Sequence, residues 1–356
     1  MQAIQKQSTD VGLNYIENAP VPEIIHSDEV LIKVRAAGIC GTDVDIYRAD
    51  KPLMNRMRDK LPLTIGHEFC GTVEAVGKGV VGIEPGQFVS AEMHLICGHC
   101  YNCLTGNGQW CLNTVIAGID GAGAFANYLI MPARAVIHLP ENLPLEVAAY
   151  LDAIGNAVHT VRSVDVTGKD VVILGAGPMG IMATSLCRLM GARYIYVTDV
   201  HDSLLKIAKD EGADEVYNVA DPKQQAELIK HATADKTKRG VDVVLELSGH
   251  GQAYRDALKV IRMGGELSLL GLPRGDIAVN FATDVVFKGI TIRGIIGRKI
   301  FTTWIEMLAL LQGEFRKTAQ RIVTHKFPLA DFEQGFKTKL AGEGLKVVLL
   351  PDEKFA

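Results

Sequence analysis

The sequence has no excess of positive charge and no long uninterrupted apolar segment. Its formal net charge is -4 at pH 7, whereas proteins that bind nucleic acid or an anionic membrane favour a basic face. The most apolar uncharged stretch, Val171–Cys187, is interrupted by three glycines and a proline and is short for a bilayer span. We therefore expect no nucleic-acid partner and no membrane-spanning segment.

A secretion signal and low-complexity sequence are also lacking. Met1–Asp10 is polar and has no apolar core of the kind that a signal peptide contains. The composition is ordinary, with 48% hydrophobic and 22% charged residues, so a folded chain is favoured over a disordered one. The 356 residues are many for one compact domain and natural for two. We expect a two-domain cytoplasmic protein.

Cysteine is scarce outside one short segment. Four of the seven cysteines lie within fifteen residues, at positions 97, 100, 103 and 111. In a chain without a secretion signal, such crowding favours a metal site over disulfides or free thiols. Four thiolates can surround one tetrahedral zinc ion and leave no open position, so this zinc holds a loop and does no chemistry. We expect His99, inside the segment, to be exposed. The predicted ligands are Cys97, Cys100, Cys103 and Cys111.

The first 150 residues have the pattern of a β-rich domain. Val30–Arg35 alternates in part between apolar and polar residues, and glycines recur between Gly66 and Gly86. Short strands separated by turns are typical of a barrel-like domain.

Near residue 145 the pattern changes to strands that alternate with helices, which predicts an α/β fold with a parallel sheet and helices on both its faces. Apolar residues recur at helical spacing over Leu145–Val164, broken at Asp152–Gly155. A helix from Trp304 and a last strand over Leu345–Leu350 are assigned to the first domain again. Strands are predicted at 170–174, 194–198, 241–245, 266–270 and 290–293, with helices at about 178–190 and 203–210.

A glycine-rich turn predicts a dinucleotide site. Gly175-Ala-Gly177-Pro-Met-Gly180 follows a predicted strand and opens a predicted helix. The glycines let the backbone approach a pyrophosphate at the helix N-terminus, where unpaired N–H groups and the helix dipole favour anions. Alone this motif also fits a tight turn without ligand. Asp199, at the end of the next predicted strand, strengthens it, because its carboxylate accepts hydrogen bonds from the adenosine ribose.

Asp199 also favours NAD over NADP. Its charge repels a 2′-phosphate, and no arginine lies in the five residues from His201. Lys206 weakens this inference slightly.

A second metal site is indicated by Cys40, at the end of a predicted strand, and by the pair His67-Glu68. Taken singly, a strand-end cysteine is usually core packing, and a His-Glu pair often lies on the surface. Beside a four-thiolate segment and a dinucleotide motif, the three residues together favour an open, catalytic zinc site.

With these motifs the chain resembles the zinc-containing medium-chain alcohol dehydrogenases over essentially its whole length. The resemblance implies a GroES-like catalytic domain over 1–150, which includes the zinc lobe at 97–111 and resumes at 298–356, and a Rossmann domain over 151–297. It implies that Cys40 and His67 bind the catalytic zinc and that Glu68 can ligate it. It also implies that Asp43 orients His67.

Several segments resemble the threonine-dehydrogenase branch of that family. That branch implies oxidation of the secondary hydroxyl of L-threonine to 2-amino-3-oxobutanoate, with zinc stabilising the alkoxide and NAD taking the hydride. It also implies a homodimer or homotetramer. The segments are Ser90–His94, Gly155–Thr160, Val286–Arg298, Trp304 and Ile322–Lys326.

The resemblance gives roles to further residues near the reaction. Thr42 matches the hydroxyl that begins a proton relay, and His94 matches a position that helps to recognise the amino acid. The alternative for His94 is a surface histidine beside the zinc lobe. Asp45 stands where the family has its relay histidine, and an aspartate is ordinarily too acidic for proton transfer at neutral pH. Asp152 is either a fourth zinc ligand or a proton acceptor.

The same resemblance implies a lining for the NAD site, for which the alternative is plain apolar core. Leu204 stands where the threonine branch has an arginine near the ribose, and Arg48–Arg58 lacks the aromatic residues expected near the substrate. The predicted lining residues are Met179, Leu270, Gly271, Leu272, Ile295 and Ile296.

Two other functions remain open. One is the oxidation of another small polyol or secondary alcohol. The other is a non-catalytic protein that binds NAD and zinc on the same fold, which predicts loss of the open metal site. In either case the strand predicted at Ile290–Arg293 lies at a sheet edge, and an unpaired edge favours an oligomer.

Overall fold

The computed structural model of this protein describes residues Met1–Pro351. The chain forms two compact units, each with its own hydrophobic core. One unit contains Met1–Ala153 and resumes at Ala319, and the other is Ile154–Thr318. Within the described range, no helix combines the length and the apolarity needed to cross a membrane.

The chain returns to the first unit later than the sequence indicated. Residues 298–318, assigned above to the first domain, belong to the second unit. The guanidinium of Arg298 lies 5.3 Å from the ring centroid of Trp304, and the two side chains are 2% and 1% exposed. Arg298 also packs against Gly155 and lies 3.5 Å from Oδ1 of Asn156, two residues of the second unit, so this segment stays with that unit.

The first unit is built mainly of short strands, as its sequence predicts. Its chain up to the boundary also contains short 3-10 turns at Arg58–Lys60, Gly108–Trp110 and Ala133–Ala135. The strands and helices are β1 (Ala3–Lys6), β2 (Asn14–Ile16), β3 (Glu29–Ile39), α1 (Gly41–Tyr47), α2 (Lys51–Met57), β4 (Leu63–Thr64), β5 (Phe69–Val76), β6 (Phe88–Ala91), β7 (His94–Leu95), α3 (Tyr101–Leu104), β8 (Val115–Ile116), β9 (Tyr128–Pro132), β10 (Val136–His138) and α4 (Leu145–Ala148), followed by α5 (Leu151–Arg162), which begins in the first unit and continues into the second.

The rest of the chain alternates strands with helices and then closes the first unit. A π-helical turn lies at Phe281–Val286 and a 3-10 turn at Leu329–Asp331. The elements are β11 (Asp170–Leu174), α6 (Pro178–Leu189), β12 (Tyr194–Asp199), α7 (Asp202–Asp210), β13 (Glu215–Asn218), α8 (Pro222–Ala232), β14 (Val241–Glu246), α9 (Gly251–Val260), β15 (Ile261–Leu269), β16 (Thr291–Gly294), α10 (Thr302–Leu310), α11 (Phe315–Ile322), β17 (Val323–Pro328), α12 (Phe332–Leu340) and β18 (Lys346–Leu350).

The main sheet of the first unit has the order β10-β6-β5-β3-β18-β17, with β9 also paired to β3. Its central strand β3 alternates as a half-buried strand should: Val30, Ile32 and Val34 are at most 1% exposed, and the residues between them are half-buried.

The pairing of β3 brings three distant segments to one end of the sheet. β5 and β18 are both antiparallel to β3, with Ala37 opposite Phe69 and Ile39 opposite Val347. The residues that follow β3 therefore meet the residues that precede β5 and the first residue of β18. The candidate metal ligands lie at this junction.

The second unit contains a six-stranded sheet of order β13-β12-β11-β14-β15-β16, paired in parallel throughout. This confirms the parallel sheet predicted from the sequence, and it also confirms that the strand near residues 290–293 lies at the edge. All five residues of β11 are buried, as expected for a strand covered on both faces. Because the strands are parallel, their carboxyl ends all lie at the same end of the sheet.

The helical segment near residue 150 is interrupted in a different place from the one predicted. The break falls at Ala149 and Tyr150, between α4 and α5, and Asp152–Gly155 lies inside α5. A Cβ atom at Gly155 would lie 2.6 Å from Cδ of Arg298. The glycine is therefore required by the packing of this arginine against α5 and does not mark a break in the helix.

Candidate metal centres and dinucleotide site

Cys40, His67 and Glu68 form a buried group of potential metal ligands. One ligand atom from each lies within 4.8 Å of the others. His67 and Glu68 are 5% and 2% exposed, whereas Cys40 is half-buried. A thiolate, an imidazole and a carboxylate are the donors that zinc prefers, and three protein ligands leave a position for substrate. The donor set therefore fits an open zinc site.

Asp43 fixes the geometry of this group. Cys40 precedes the first residue of α1, and its backbone N–H donates to Oδ2 of Asp43 at 2.8 Å. The other oxygen, Oδ1, lies 3.5 Å from Nδ1 of His67, so the aspartate faces one ring nitrogen and leaves Nε2 for a metal. Burial opposes a charge on the imidazole, but the negative charges of Asp43 and Cys40 outweigh it and raise the pKa of His67 well above its usual value.

Glu68 is held by a cation that the sequence analysis did not single out. Nζ of Lys346 lies 2.8 Å and 3.1 Å from the two carboxylate oxygens of Glu68, and 3.4 Å from the carbonyl oxygen of Ile39. Burial opposes a charge on this lysine, but Glu68 raises the pKa of Lys346 above its ordinary value. The carboxylate of Glu68 therefore lies between Lys346 and the other two potential metal ligands.

Gly38 makes room for this carboxylate. A Cβ atom at Gly38 would lie 2.4 Å from Oε2 of Glu68 and 3.0 Å from the carbonyl oxygen of Ala149. Any larger residue at this position would push the Glu68 carboxylate away from the other potential metal ligands, or push β3 away from the end of α4.

Asp152 lies near the ligand group without joining it. Burial raises the pKa of Glu68, Lys346 opposes the rise, and the negative charge of Asp152 adds to it. The side chain of Asp152 is buried at 7% exposure. Among the described residues, however, the three-ligand group does not include it. The structure thus places a second carboxylate close to Glu68.

The predicted relay and recognition residues lie in the first unit. Thr42 and Asp45 are both half-buried on α1, the helix that begins just after Cys40. His94, in β7, is fixed by Glu92: the backbone N–H of His94 donates to Oε1 of Glu92 at 2.9 Å, and its Nδ1 lies 3.2 Å from the same oxygen. Glu92 is 2% exposed, so it holds the imidazole in one orientation.

The four lobe cysteines come together as the spacing predicts. Their sulfur atoms lie within 4.8 Å of one another, with separations of 4.0 Å for Cys97–Cys103, 3.5 Å for Cys100–Cys103 and 4.0 Å for Cys100–Cys111. These values exclude disulfides. A zinc ion with Zn–S bonds of about 2.3 Å sets its sulfurs about 3.8 Å apart, so the lobe fits a closed tetrahedral site. His99 is exposed, as expected.

Backbone N–H groups favour the thiolate form at two of the four lobe cysteines, whereas burial raises the pKa of Cys103 to about 12. Hydrogen bonds from the chain, led by the one from His99, lower the pKa of Cys97 to about 5. Backbone bonds, first from Leu112, also lower the pKa of Cys100. Thiolates are the form that binds zinc. Cys187, by contrast, is fully buried outside the lobe, and burial raises its pKa to about 12, which makes it an inert packing residue.

The glycine turn of the second unit has the predicted geometry. Gly175 has φ +102°, a conformation that side chains rarely adopt, and a Cβ at Gly180 would lie 1.8 Å from the carbonyl oxygen of Gly175. Gly177 caps the N-terminus of α6, with open space where its Cβ would be. The turn therefore presents an open helix N-terminus to an anion, which fits a pyrophosphate.

Asp199 anchors that turn from the end of β12. Its Oδ2 accepts a hydrogen bond from the backbone N–H of Ala176 at 2.7 Å. Its Oδ1 accepts from the N–H groups of Val200 and His201 and lies 2.9 Å from Nδ1 of His201. A cavity of about 570 Å³ opens beside it and is lined by Gly175, Gly177 and Asp199, among others.

The remaining residues predicted to line the NAD site lie at the carboxyl ends of the strands, at the same end of the sheet as the glycine turn. Leu270–Leu272 follows β15, Ile295 and Ile296 follow β16, and Met179 is in the first turn of α6. Leu272 is 86% exposed and Ile296 is 58% exposed. Such exposure excludes the alternative that these two residues belong to the apolar core. None of the six lines the 570 Å³ cavity.

Comparisons with known proteins agree with this geometry. Residues 26–141 match the family of alcohol dehydrogenase GroES-like domains, and residues 178–313 match zinc-binding dehydrogenases. An L-threonine 3-dehydrogenase from Aeromonas salmonicida (strain A449) is 41% identical over 353 residues, which span 99% of this chain and 100% of that protein.

Solved structures show the same fold. An alcohol dehydrogenase from Thermotoga maritima has a TM-score of 0.89 at 25% identity, with 99% of both chains covered. A 2R,3R-butanediol dehydrogenase from Bacillus subtilis has a TM-score of 0.84 at 28% identity, again with 99% of both chains covered. With two matched domains and full-length relatives at this identity, the chain belongs to the zinc-containing medium-chain alcohol dehydrogenases.

Proposed function

We propose that this protein oxidises the secondary hydroxyl of L-threonine to 2-amino-3-oxobutanoate with NAD as the hydride acceptor. The observation that carries the proposal is the buried group of Cys40, His67 and Glu68, a three-ligand set that fits an open zinc site. Relatives at about 40% identity over nearly the whole chain, named L-threonine 3-dehydrogenase, support the choice of substrate. The substrate loses a hydride to NAD and its hydroxyl proton to solvent.

The residues of the first unit prepare this reaction. Zinc, when bound, supplies the Lewis acidity that lets an alcohol lose its proton near neutral pH. Cys40 and His67 would hold the ion, and Asp43, which faces Nδ1 of His67, would leave Nε2 free for it. Glu68 contributes a carboxylate whose charge is balanced by Lys346. We place Thr42 at the start of the proton path, and Asp45 lies one turn further along α1, where the family has its relay histidine.

His94 is proposed to recognise the amino-acid part of the substrate. Because Glu92 engages Nδ1, the other ring nitrogen is left for a ligand. His94→Asn is expected to raise the KM for threonine about tenfold and to leave the KM for butane-2,3-diol, which has no amino or carboxyl group, nearly unchanged. His99→Asn, an exposed histidine of the lobe, is the matched control. Equal effects on both substrates would assign His94 a structural role.

Asp152 is proposed either to ligate zinc or to accept a proton, and one variant separates the two roles. Asp152→Asn that loses zinc supports ligation. The same variant with two zinc ions per chain and a rate that no longer rises with pH supports proton transfer. Its place beside Glu68 supports both alternatives equally.

A substrate panel tests the function as a whole. Zinc-replete protein is assayed with NAD and NADP on L-threonine, butane-2,3-diol and sorbitol. Among the substrates we expect the highest kcat/KM for L-threonine. NAD should be preferred to NADP, because Asp199 repels a 2′-phosphate. Activity confined to the diols and polyols would instead establish the second candidate, a dehydrogenase of another secondary alcohol. That candidate is favoured by Arg48–Arg58, which lacks the aromatic residues expected near the substrate in the threonine branch.

An oligomer is also proposed. Every residue of the edge strand β16 is exposed, and its Ile292 is 40% exposed. Nearby in sequence, Phe281, Val286 and Phe287 are 67%, 68% and 70% exposed. A second copy, related by a two-fold axis and paired along β16, would cover these side chains. It would also pair the backbone N–H and C=O groups of the edge strand. A homodimer built in this way, or a homotetramer that contains it, accounts for this exposure.

Light scattering measures that assembly. The parent protein is expected at two or four times 38.5 kDa, and Ile292→Lys at a lower multiple. Ile305→Lys, an exposed isoleucine of α10 at 73% exposure, is the control and should keep the parent mass. A parent protein of monomer mass would reject the proposed assembly.

A cytoplasmic location completes the proposal. All seven cysteines are free, and four of them form a thiolate set that a reducing compartment preserves. Fractionation of the producing cell, followed by an assay of threonine-dependent NAD reduction in each fraction, checks this location.

A further inference from the structure

The 570 Å³ cavity of the second unit has a feature that binding of a ribose at Asp199 does not explain. Its walls are apolar at Leu204, Val219 and Ala253, and one side carries polar groups from α8 and α9. Apolar walls with a polar side suit a flat heterocycle. In an adenosine the base is joined directly to the ribose, so a ribose at Asp199 would place its base in this cavity.

The polar side is organised by the buried carboxylate of Asp256, which is 3% exposed. Its Oδ2 accepts a hydrogen bond from Nε2 of Gln225. Its Oδ1 accepts from Nε2 of Gln252 at 2.9 Å and lies 3.4 Å from Nζ of Lys259. An ionised carboxylate only accepts hydrogen bonds, so both glutamines must turn their amide nitrogens toward Asp256.

This arrangement fixes where the two amide oxygens lie. Oε1 of Gln252 accepts from Nε of Arg255 at 2.9 Å. Oε1 of Gln225 has no hydrogen-bond donor among the residues that the structure describes. Gln225 is half-buried on α8 and lines the cavity. Gln225 thus brings an acceptor without a protein donor to the wall of the cavity, and Asp256 prevents the amide from flipping to offer a donor instead.

We propose that Oε1 of Gln225 accepts a hydrogen bond from the 6-amino group of adenine, and that Asp256 enforces this preference by orienting the amide. The inference rests on the dinucleotide cofactor of the proposed function. Hypoxanthine has an oxygen in place of the amino group, so it would set two acceptors against each other. A site built around an oriented hydrogen bond rejects a ligand that cannot make it.

Calorimetry on the zinc-loaded protein tests this directly, without turnover. Adenosine 5′-diphosphate and inosine 5′-diphosphate differ at this one position of the base. The parent protein should bind the adenosine ligand about tenfold tighter, the effect of one oriented hydrogen bond. Gln225→Met keeps the length of the side chain and removes the acceptor, so the ratio should fall to about one, mainly through weaker binding of the adenosine ligand.

Two further variants distinguish recognition of the base by Gln225 from a purely structural role of Gln225 in joining α8 to α9. Asp256→Asn lets the Gln225 amide flip, so the ratio should fall although no ligand contact is removed. Gln252→Leu removes the other glutamine hydrogen bond to Asp256 but leaves the Gln225 carbonyl in place. The ratio of the two affinities should therefore persist. These two variants decide the matter even where Gln225→Met fails to fold.

The outcomes also distinguish this inference from the proposed function. A parent ratio near one, or a Gln225→Met protein that keeps the tenfold preference, overturns the role of Gln225 while leaving the cofactor site intact. Failure of the parent protein to bind either diphosphate would overturn the dinucleotide site itself.

Discussion

Nζ of Lys346 lies 2.8 Å from the carboxylate of Glu68, and both side chains are nearly fully buried. The two residues are 278 positions apart in the chain. They meet because β18 pairs with β3 directly beside the ligand group. This pairing makes β18 part of the metal centre, since without it the buried Glu68 carboxylate would lose the side-chain cation that faces it.

Lys346→Met is expected to lower the free energy of unfolding of the zinc-free protein by about 3–5 kcal/mol, because it leaves a buried carboxylate unpaired. Chemical denaturation of the parent and the variant measures this change. Lys337→Met is the matched control, since Lys337 pairs with Glu333 at the surface, with side chains 67% and 58% exposed, and should change stability by less than about 1 kcal/mol. Equal small effects would show that the pair at Glu68 does not matter to the fold.

A second lysine near the ligand group, Lys339, is expected to make the free energy of unfolding depend on pH. Burial lowers the pKa of Lys339 to about 8 from its ordinary 10.5. Between these two values the unfolded chain holds a proton that the folded chain has released, so stability rises with pH in that interval. Lys339→Met removes this contribution. The free energy of unfolding of the parent, relative to the variant, should therefore increase from pH 8 to pH 10, and a constant difference would contradict the assignment.

Asp199 is expected to set both the strength and the choice of cofactor binding. Asp199→Asn loses a charged acceptor worth about 1.5–3 kcal/mol, so the Kd for NADH should rise about tenfold to hundredfold. The same change removes the repulsion of a 2′-phosphate, so the NADH over NADPH preference should narrow. Fluorescence titration with both dinucleotides measures the ratio. Asp202→Asn, an exposed neighbour on α7, serves as control, and an unchanged ratio in the Asp199 variant would reject this role.

The zinc lobe should hold one ion independently of the catalytic centre. Cys111→Ser is expected to reduce the zinc content from two ions to one per chain and to lower Tm, because three ligands close the lobe less firmly. Cys187→Ala, a buried cysteine outside both groups, should keep two ions. Metal analysis by mass spectrometry after dialysis measures the content. Two retained ions in the Cys111 variant would exclude it as a ligand.

The features that the sequence predicts well are local. The lobe cysteines and the glycine turn each lie within a short segment, so spacing alone gives their geometry, and the structure has it. The parallel sheet follows from the alternation of apolar strands with helices, and its edge strand is where the sequence predicts it.

The features that the sequence misses depend on long-range pairing. Lys346 opens an apolar strand and carries no local sign that its ammonium is buried against Glu68. Gln225 and Asp256 look like ordinary helix-surface residues until α8 packs beside α9. Gly155 suggested a helix break because its role, to accommodate Arg298, depends on a side chain far along the chain. In each case tertiary contact overrides the local pattern.

The kcat/KM of Cys40→Ser for L-threonine, measured with NAD at saturating zinc, tests the central claim most directly. The account holds that one Lewis-acidic ion at Cys40, His67 and Glu68 enables the reaction, a contribution of several kcal/mol. We expect kcat/KM to fall at least about thousandfold, while the Kd for NADH stays within about twofold because the dinucleotide site lies in the other unit. Activity within tenfold of the parent protein would contradict the account.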